Sequence, residues 1–352
     1  MKYLIKFFPL ESYSFGTEQG FEYPNEKKTG KESYFVTSKD EPEQTMVLGV
    51  LRYLLLKHND LLKTDFRYDS ERDRMDEVIG KQSFSFDELE KQSFGQIKEI
   101  SPIFILNEHN DILIRNPFNN VAENGYIPMK MTTEIETIYG HISMPDKDEY
   151  NSKQGYARGY YNLSTGNIVT DMFKTVVAVG NRKNGEEVQD KKDGFFKREL
   201  KNFVNEGYSF ALYADIMGEF PMETVAYMGK NKSAFVVKAE QIIDCQVSAS
   251  DILAKQVENA FKDSKEIWYY ALSDIIVRND IRYSNFCIIE DKKQRNLQTN
   301  HNSKGYLGKI KKSEVLYNLI SRGSVFYKDK PAVQDDNAEQ IGYNKIVRLG
   351  GN

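Results

Sequence analysis

The chain has few of the residues that carry metal, redox and membrane chemistry. Its 352 residues include two cysteines, four histidines and one tryptophan. Cys245 and Cys287 cannot build a disulfide framework or a thiolate metal site. His58, His109, His141 and His301 never fall at the close spacing of metal ligands, so neither metal nor cofactor is expected. No apolar run approaches the ~20 residues of a membrane span. The opening MKYLIKFFPLESYSF is too short and too early charged for a secretory leader. A cytoplasmic protein is the expectation.

What is present is ordinary for a globular protein: 40% apolar and 12% aromatic residues, too many for a disordered chain. At this length roughly 75% of the unfolded surface can be buried, in one or two domains. The net charge of −4 hides an asymmetry. From Lys292 to Asn352 the chain carries +7, against −11 for residues 1–291. A basic end on an acidic body suits a surface facing an anion such as RNA, although a solvated lysine-rich face has the same composition.

The chain opens with a strand over residues 3–8, stopped by Pro9. An aromatic stretch over 10–41 is too apolar for a linker. The strongest helix follows over 44–57, after Asp40-Glu41-Pro42, with Met46, Val47, Val50, Leu51, Leu54 and Leu55 on one face. Gly49 inside it costs about 1 kcal/mol relative to alanine and predicts a close neighbour. Arg52 is expected to point outward. Strands are expected at 83–86, 102–106, 111–115, 168–179, 195–204 and 208–214, then later at 266–277, 283–289 and 323–327. A hairpin is expected at 225–237, a helix at 249–262 and a protruding loop at 181–194. This pattern reads as an α+β chain with antiparallel sheets, in which a ferredoxin-like βαββαβ unit carries insertions.

Residues 38–52 contain Ser38, Pro42, Gln44-Thr45, Leu48-Gly49 and Arg52, preceded by Phe15-Gly16. Glu206–Tyr213 reads EGYSFALY, Ala226–Phe235 reads AYMGKNKSAF, and Leu319–Tyr327 reads LISRGSVFY. The chain closes on a glycine-rich segment from Gly342 to Gly351. In this order the segments resemble the RAMP superfamily of CRISPR proteins, and within it the third subunits of type III-B (Cmr) effector complexes. Lys230 and Asn231 depart from that family's Gly-Gly-Glu hairpin, Ser321-Arg322 departs slightly from its Pro-x-Gly strand, and 59–200 carries no resemblance.

The resemblance implies a ferredoxin-like (RRM-like) RAMP domain over 1–240, with insertions at about 59–200. A smaller β-rich, ferredoxin-like domain over 241–352 would follow. It also implies a non-catalytic subunit that holds the 5′ tag of the CRISPR RNA. Such a subunit meets the large polymerase-like signalling subunit and the backbone RAMP subunit.

The RNA-binding candidates are Ser38, Gln44, Thr45, Gly49, Arg52, Arg158, Arg322, Gly323, Asn344, Lys345, Arg348, Gly350 and Gly351. Ser38, Gln44 and Thr45 bracket a helix start, where free N–H groups suit phosphate, though serine and threonine also cap helices there. Arg158 lies in a segment interleaving Tyr, Gly, Lys and Arg, as single-stranded RNA sites do. The cations and glycines of 322–323 and 344–351 permit close approach to a phosphodiester. Two other readings stay open: an RNA-processing nuclease using His58 as general base, and a protein-only assembly module.

Overall fold

The computed structural model describes residues 1–23, 33–62, 71–81, 83–138, 140–146, 155–181, 195–229, 232–243, 245–277, 286–295, 297–299, 310–312, 315–333 and 335–351. Among them are 24 strands and four helices. The chain opens with β1 (Lys2–Pro9), β2 (Phe15–Tyr23), β3 (Ser33–Lys39), α1 (Gln44–His58) and α2 (Arg72–Ile79). Next come β4 (Ile97–Ile100), β5 (Phe104–Leu106), β6 (Ile112–Arg115), β7 (Met131–Thr137) and β8 (Gly140–Pro145). The middle holds β9 (Tyr160–Asn162), β10 (Ile168–Val169), β11 (Phe173–Asn181), β12 (Phe195–Phe203), β13 (Ser209–Ile216), β14 (Glu223–Met228) and β15 (Ser233–Ile242). After α3 (Ala249–Ala260) come β16 (Trp268–Ala271), β17 (Ile275–Ile276), β18 (Cys287–Ile288), β19 (Asp291–Gln294) and β20 (Leu297–Thr299). The last elements are β21 (Ile310–Lys312), β22 (Tyr317–Ile320), β23 (Val325–Tyr327), α4 (Asp336–Gln340) and β24 (Ile346–Leu349).

The largest sheet runs β10-β9-β6-β5-β13-β1-β15-β14, with β4 also on β13. Its centre, β5-β13-β1-β15, is antiparallel throughout. That is the 2-3-1-4 strand order of a ferredoxin-like unit, with α1 as the first crossover helix. Strand β14, not a second helix, joins its last two members. A four-stranded sheet, β18-β23-β16-β24, repeats the same order near the end of the chain, and there α4 occupies the second crossover. The protein is thus mostly sheet with few helices, as the α+β reading expects. β5 and β6 lie within 59–200, so that stretch supplies strands of the main sheet as well as additions to it.

Strand alternation separates two cores. Tyr3, Ile5 and Phe7 of β1 join α1 and an aromatic cluster of Tyr13, Phe15, Phe203, Phe210 and Phe235. On the opposite face Phe104, Ile112 and Tyr213 pack with Leu253 and Val257 of α3 and with Trp268 and Tyr270 of β16. The N-terminal sheet therefore has α1 on one face and α3 with β16 on the other, while Ile341 and Tyr343 of the C-terminal part also join the α1 side.

Several local expectations change. Residues 83–86 form no strand; Phe84 and Phe86 are buried from an irregular segment, where they pack on Tyr343. α2 went unread because only Met75 and Val78 of its eight residues are buried. It covers a flank of α1, so Arg52 is buried at 9% exposure instead of pointing outward. Gly49 has no close neighbour: it is exposed, and a Cβ there would meet nothing within 4 Å. Gly49→Ala should therefore raise stability by up to about 1 kcal/mol, read as a shift in the chemical-denaturation midpoint. A destabilised Gly49→Ala would mean that the helix backbone is crowded there after all. Of the loop expected at 181–194, residues 182–194 with Arg182, Lys183, Lys191 and Lys192 lie outside the described residues, as do Asn151–Gln154, Lys230, Asn231 and His301.

Candidate functional site

The lead-in to α1, residues 38–43, meets the C-terminal part of the chain across a cluster of ion pairs. Glu43 is the helix N-cap residue, extended and without a side-chain capping bond. Its carboxylate instead takes the ammonium groups of Lys39 at 2.6 Å and Lys292 at 2.8 Å. Lys292 also reaches Asp274 at 2.5 Å. Asp274 accepts from the backbone N–H of Arg322 at 3.0 Å and faces its guanidinium at 3.4 Å. The same guanidinium donates to Glu41 at 2.8 Å. Glu41 accepts from the Tyr160 hydroxyl at 2.7 Å, which in turn accepts from Arg115 at 3.1 Å.

Burial alone would neutralise these groups, and their pairing prevents it. Burial pushes Asp274 up, but Lys292 and Arg322 outweigh it and hold the carboxyl well below the usual carboxylate range. Burial likewise opposes the charge on Glu43, and Lys292 and Lys39 bring it down. A cavity of about 370 Å³ opens over this cluster. Lys39, Arg115, Lys201, Lys292 and Arg322 line it, and so do Asp40, Glu41, Asp274, Glu290 and Asp291. Five cations against five acids leave it electrically balanced, so a phosphate entering here would compete with carboxylates already in place.

Two candidates, Ser38 and Arg322, line this cavity, and Gly323 and Arg158 are neighbours of residues that do or that bond to its lining. Ser38 lines it, and its Oγ accepts from the Phe15 N–H at 2.9 Å. Arg322 lines it too, and Gly323 is held at φ +98°, with the Phe118 ring 2.5 Å from where a Cβ would sit. Tyr156 stacks on Phe118 at 4.0 Å, and its hydroxyl donates to Glu290. Arg158, two residues on, is exposed, and its carbonyl accepts from Asn116.

The other candidates are placed elsewhere or used internally. Gln44 is buried; its side chain donates to the Ser101 carbonyl at 2.7 Å and accepts from the Ile103 N–H at 3.2 Å. Thr45 is half-buried near the Tyr343 phenol. Neither Ser38 nor Thr45 caps α1, whose N-cap is Glu43. Arg52 donates to the Gly80 carbonyl at 3.1 Å, and burial pulls its guanidinium down to about 10, still charged at neutral pH. Asn344, at φ +58°, accepts from Ile276 at 2.7 Å and donates its backbone N–H to Asp274's carbonyl. It shapes the Asp274 turn.

Lys345 pairs with Asp251 at 2.6 Å, in a groove shared with Glu99, Asp215, Asp336 and Glu339. Arg348 is exposed at the end of β24 and donates to the Gly351 carbonyl. Gly350 and Gly351, both at positive φ, turn the chain back against Ser264 and Ile267. The sequence reading missed Glu41, Glu43, Arg115, Tyr160, Asp274 and Lys292. They come from separate segments, and no local pattern joins them.

No family model and no curated protein matches this sequence. Solved structures do. A chain of the type III-B Cmr-beta complex bound to cognate target RNA, determined by cryo-EM, aligns with a TM-score of 0.50 at 13% identity, over 99% of this chain and 98% of that one. The two chains share one fold from end to end. The same complex with target RNA and AMPPnP gives a TM-score of 0.47 at 12% identity, over 98% of this chain and 96% of that one. The Csm3–Csm4 subcomplex of the type III-A CRISPR-Cas interference complex gives 0.39 at 12% identity, with 99% of both chains covered. At these identities the likeness to the Cmr-beta chain is one of fold, independent of any shared site residues.

Proposed function

We propose that this chain is a non-catalytic RNA-binding subunit of a type III-B CRISPR effector ribonucleoprotein. In this reading it holds the 5′ tag of the CRISPR RNA and joins the large polymerase-like subunit to the backbone subunits in the cytoplasm. The observation that carries the reading is the end-to-end fold match with a chain of an RNA-bound Cmr-beta complex. The +7 charge of residues 292–352 supports it. No helix among the described residues is long and apolar enough to cross a membrane.

The tag would run over the rim of the cavity beside α1, past Ser38 and Arg158, with Arg322 and Gly323 shaping the turn beneath it. Exposed Gly49 and half-buried Thr45 extend that path along the helix. Arg348 and the closing glycines offer a second phosphate contact. Lys345 shares its groove with five carboxylates and is left out. His58, the general base of the nuclease reading, is exposed in the last turn of α1, where a basic side chain complements the helix C-terminus, and this favours a binding role.

The test is a salt titration of tagged-RNA binding. Arg158→Ala with Arg348→Ala should lower the log-log slope by about 1.4, at ~0.7 for each phosphate contact on single strands. Both side chains are exposed, so stability should stay within about 0.5 kcal/mol of the parent. An unchanged slope would remove both contacts from the proposal. RNA cleavage that is lost in His58→Ala would favour the nuclease reading instead.

A further inference from the structure

The β7–β8 hairpin pairs with no other strand of the described structure. Its base is anchored: Met131 packs against the α3–β16 core, Ser143 and Pro145 are buried, and Asp146 donates its N–H to the Lys130 carbonyl. Beyond that base it projects apolar side chains. Ile135 stands opposite Ile142, and Met144 opposite Thr133, so the three apolar side chains share one face. Ile135 is 46% exposed, Met144 39%, and Ile138 at the turn 91%. An isolated two-stranded hairpin is marginal in water, and covering the exposed parts of these side chains, Ile138 above all, would add hydrophobic stabilisation that the free chain lacks.

The charge on the hairpin is of one sign. Between Met131 and Asp146 the chain has Glu134, Glu136 and Asp146 and no lysine or arginine. Lys328 comes within 4.0 Å of Glu134, but both side chains are at least half exposed and the pair is weak. A phosphodiester backbone would be repelled along this ribbon, whereas a surface edged with cations would complement it.

We propose that the β7–β8 hairpin is a docking finger for a partner protein that receives Ile135, Ile138 and Met144 in an apolar groove edged with lysine or arginine. The proposal goes beyond the RNA reading and uses a different part of the molecule.

The test places the photo-crosslinking residue benzoylphenylalanine at position 138 of the full chain, in the assembly purified with all its subunits and RNA. Irradiation should join the finger to one protein, at a peptide whose apolar segment is flanked by lysine or arginine. Glu134→Lys with Glu136→Lys should reduce the yield about tenfold or more, because like charges would then face each other. The isolated double variant should melt as the parent does, since both sites are exposed.

Crosslinking to RNA would overturn the proposal, as would a yield indifferent to charge reversal, or no crosslink in an intact assembly. Failure of any assembly to form would remove this partner and the effector reading together. Loss of the finger contact in an assembly that keeps its RNA would remove the finger alone.

Discussion

Asp274→Ala should destabilise the protein by about 3–5 kcal/mol, as removing one member of a buried ion pair does. Its carboxylate receives Lys292 at 2.5 Å, the Arg322 backbone N–H at 3.0 Å and the Arg322 guanidinium at 3.4 Å. Without it, among the described residues Lys292 keeps Glu43 and Arg322 keeps Glu41, with Arg322 buried and Lys292 largely covered. Asp274→Asn keeps the shape and the acceptor for the Arg322 N–H, so it should fall between the parent and the alanine variant. Denaturant unfolding at pH 7 measures both. A loss below about 0.5 kcal/mol in Asp274→Ala would show that the network contributes no net stability.

The same network sets the direction of the acid response. Asp274 and Glu43 are held below their ordinary values in the folded state. As pH falls below about 4, unfolded carboxylates take up protons first, and the stability due to these two groups is lost progressively. It is fully present above that range. Asp274→Ala should therefore lose less stability than the parent between about pH 5 and pH 3, the window that spans these groups' ordinary ~4. Equal acid losses in the two proteins would place the acid-sensitive groups elsewhere.

Gly342→Ala should cost on the order of 2–4 kcal/mol. Gly342, at φ +85°, ends α4: its N–H reaches Glu339, and the next N–H, from Tyr343, reaches Ala338. A side chain in this left-handed conformation costs roughly 1–2 kcal/mol. Its Cβ would also sit 2.1 Å from Gln44 Nε2 and 2.6 Å from the Ser101 carbonyl. Displacing Gln44 breaks buried hydrogen bonds to Ser101 and Ile103, at about 1–3 kcal/mol for each group left unsatisfied. Gly49→Ala, in open space, should move the other way. A neutral Gly342→Ala would mean that this close approach does not constrain the fold.

Arg322 and Arg52 show where local reasoning stops. Both read as solvent-facing cations suited to phosphate, because lysine and arginine are rarely buried unless paired. Arg322 is buried because Asp274 and Glu41, from two distant segments, neutralise it. Arg52 is buried because α2 closes over it. Replacing either arginine should therefore cost stability as well as charge. Lys345 reads as a phosphate ligand beside glycines, yet α3 brings Asp251 to it and α4 brings Asp336 and Glu339 to the same groove.

The sequence by itself determined the elements whose signal is local. β1 ends at Pro9, α1 occupies Gln44–His58 behind its acidic lead-in, and β14 and β15 pair across Gly229. α3 begins at its Ser248 cap, and the EGYSFALY segment contributes the buried strand β13. These follow from side-chain periodicity, turn chemistry and backbone restriction within a few residues. The ferredoxin-like order is expected from the sequence, but tertiary structure alone decided which strands fill it, since β2, β3 and much of 59–200 intervene and the two sheets use different crossovers. It alone decided the ion cluster as well. Glu41, Asp274, Lys292 and Arg322 come from separate segments, and the energy that keeps Asp274 and Arg322 buried and charged exists only once all four are in place.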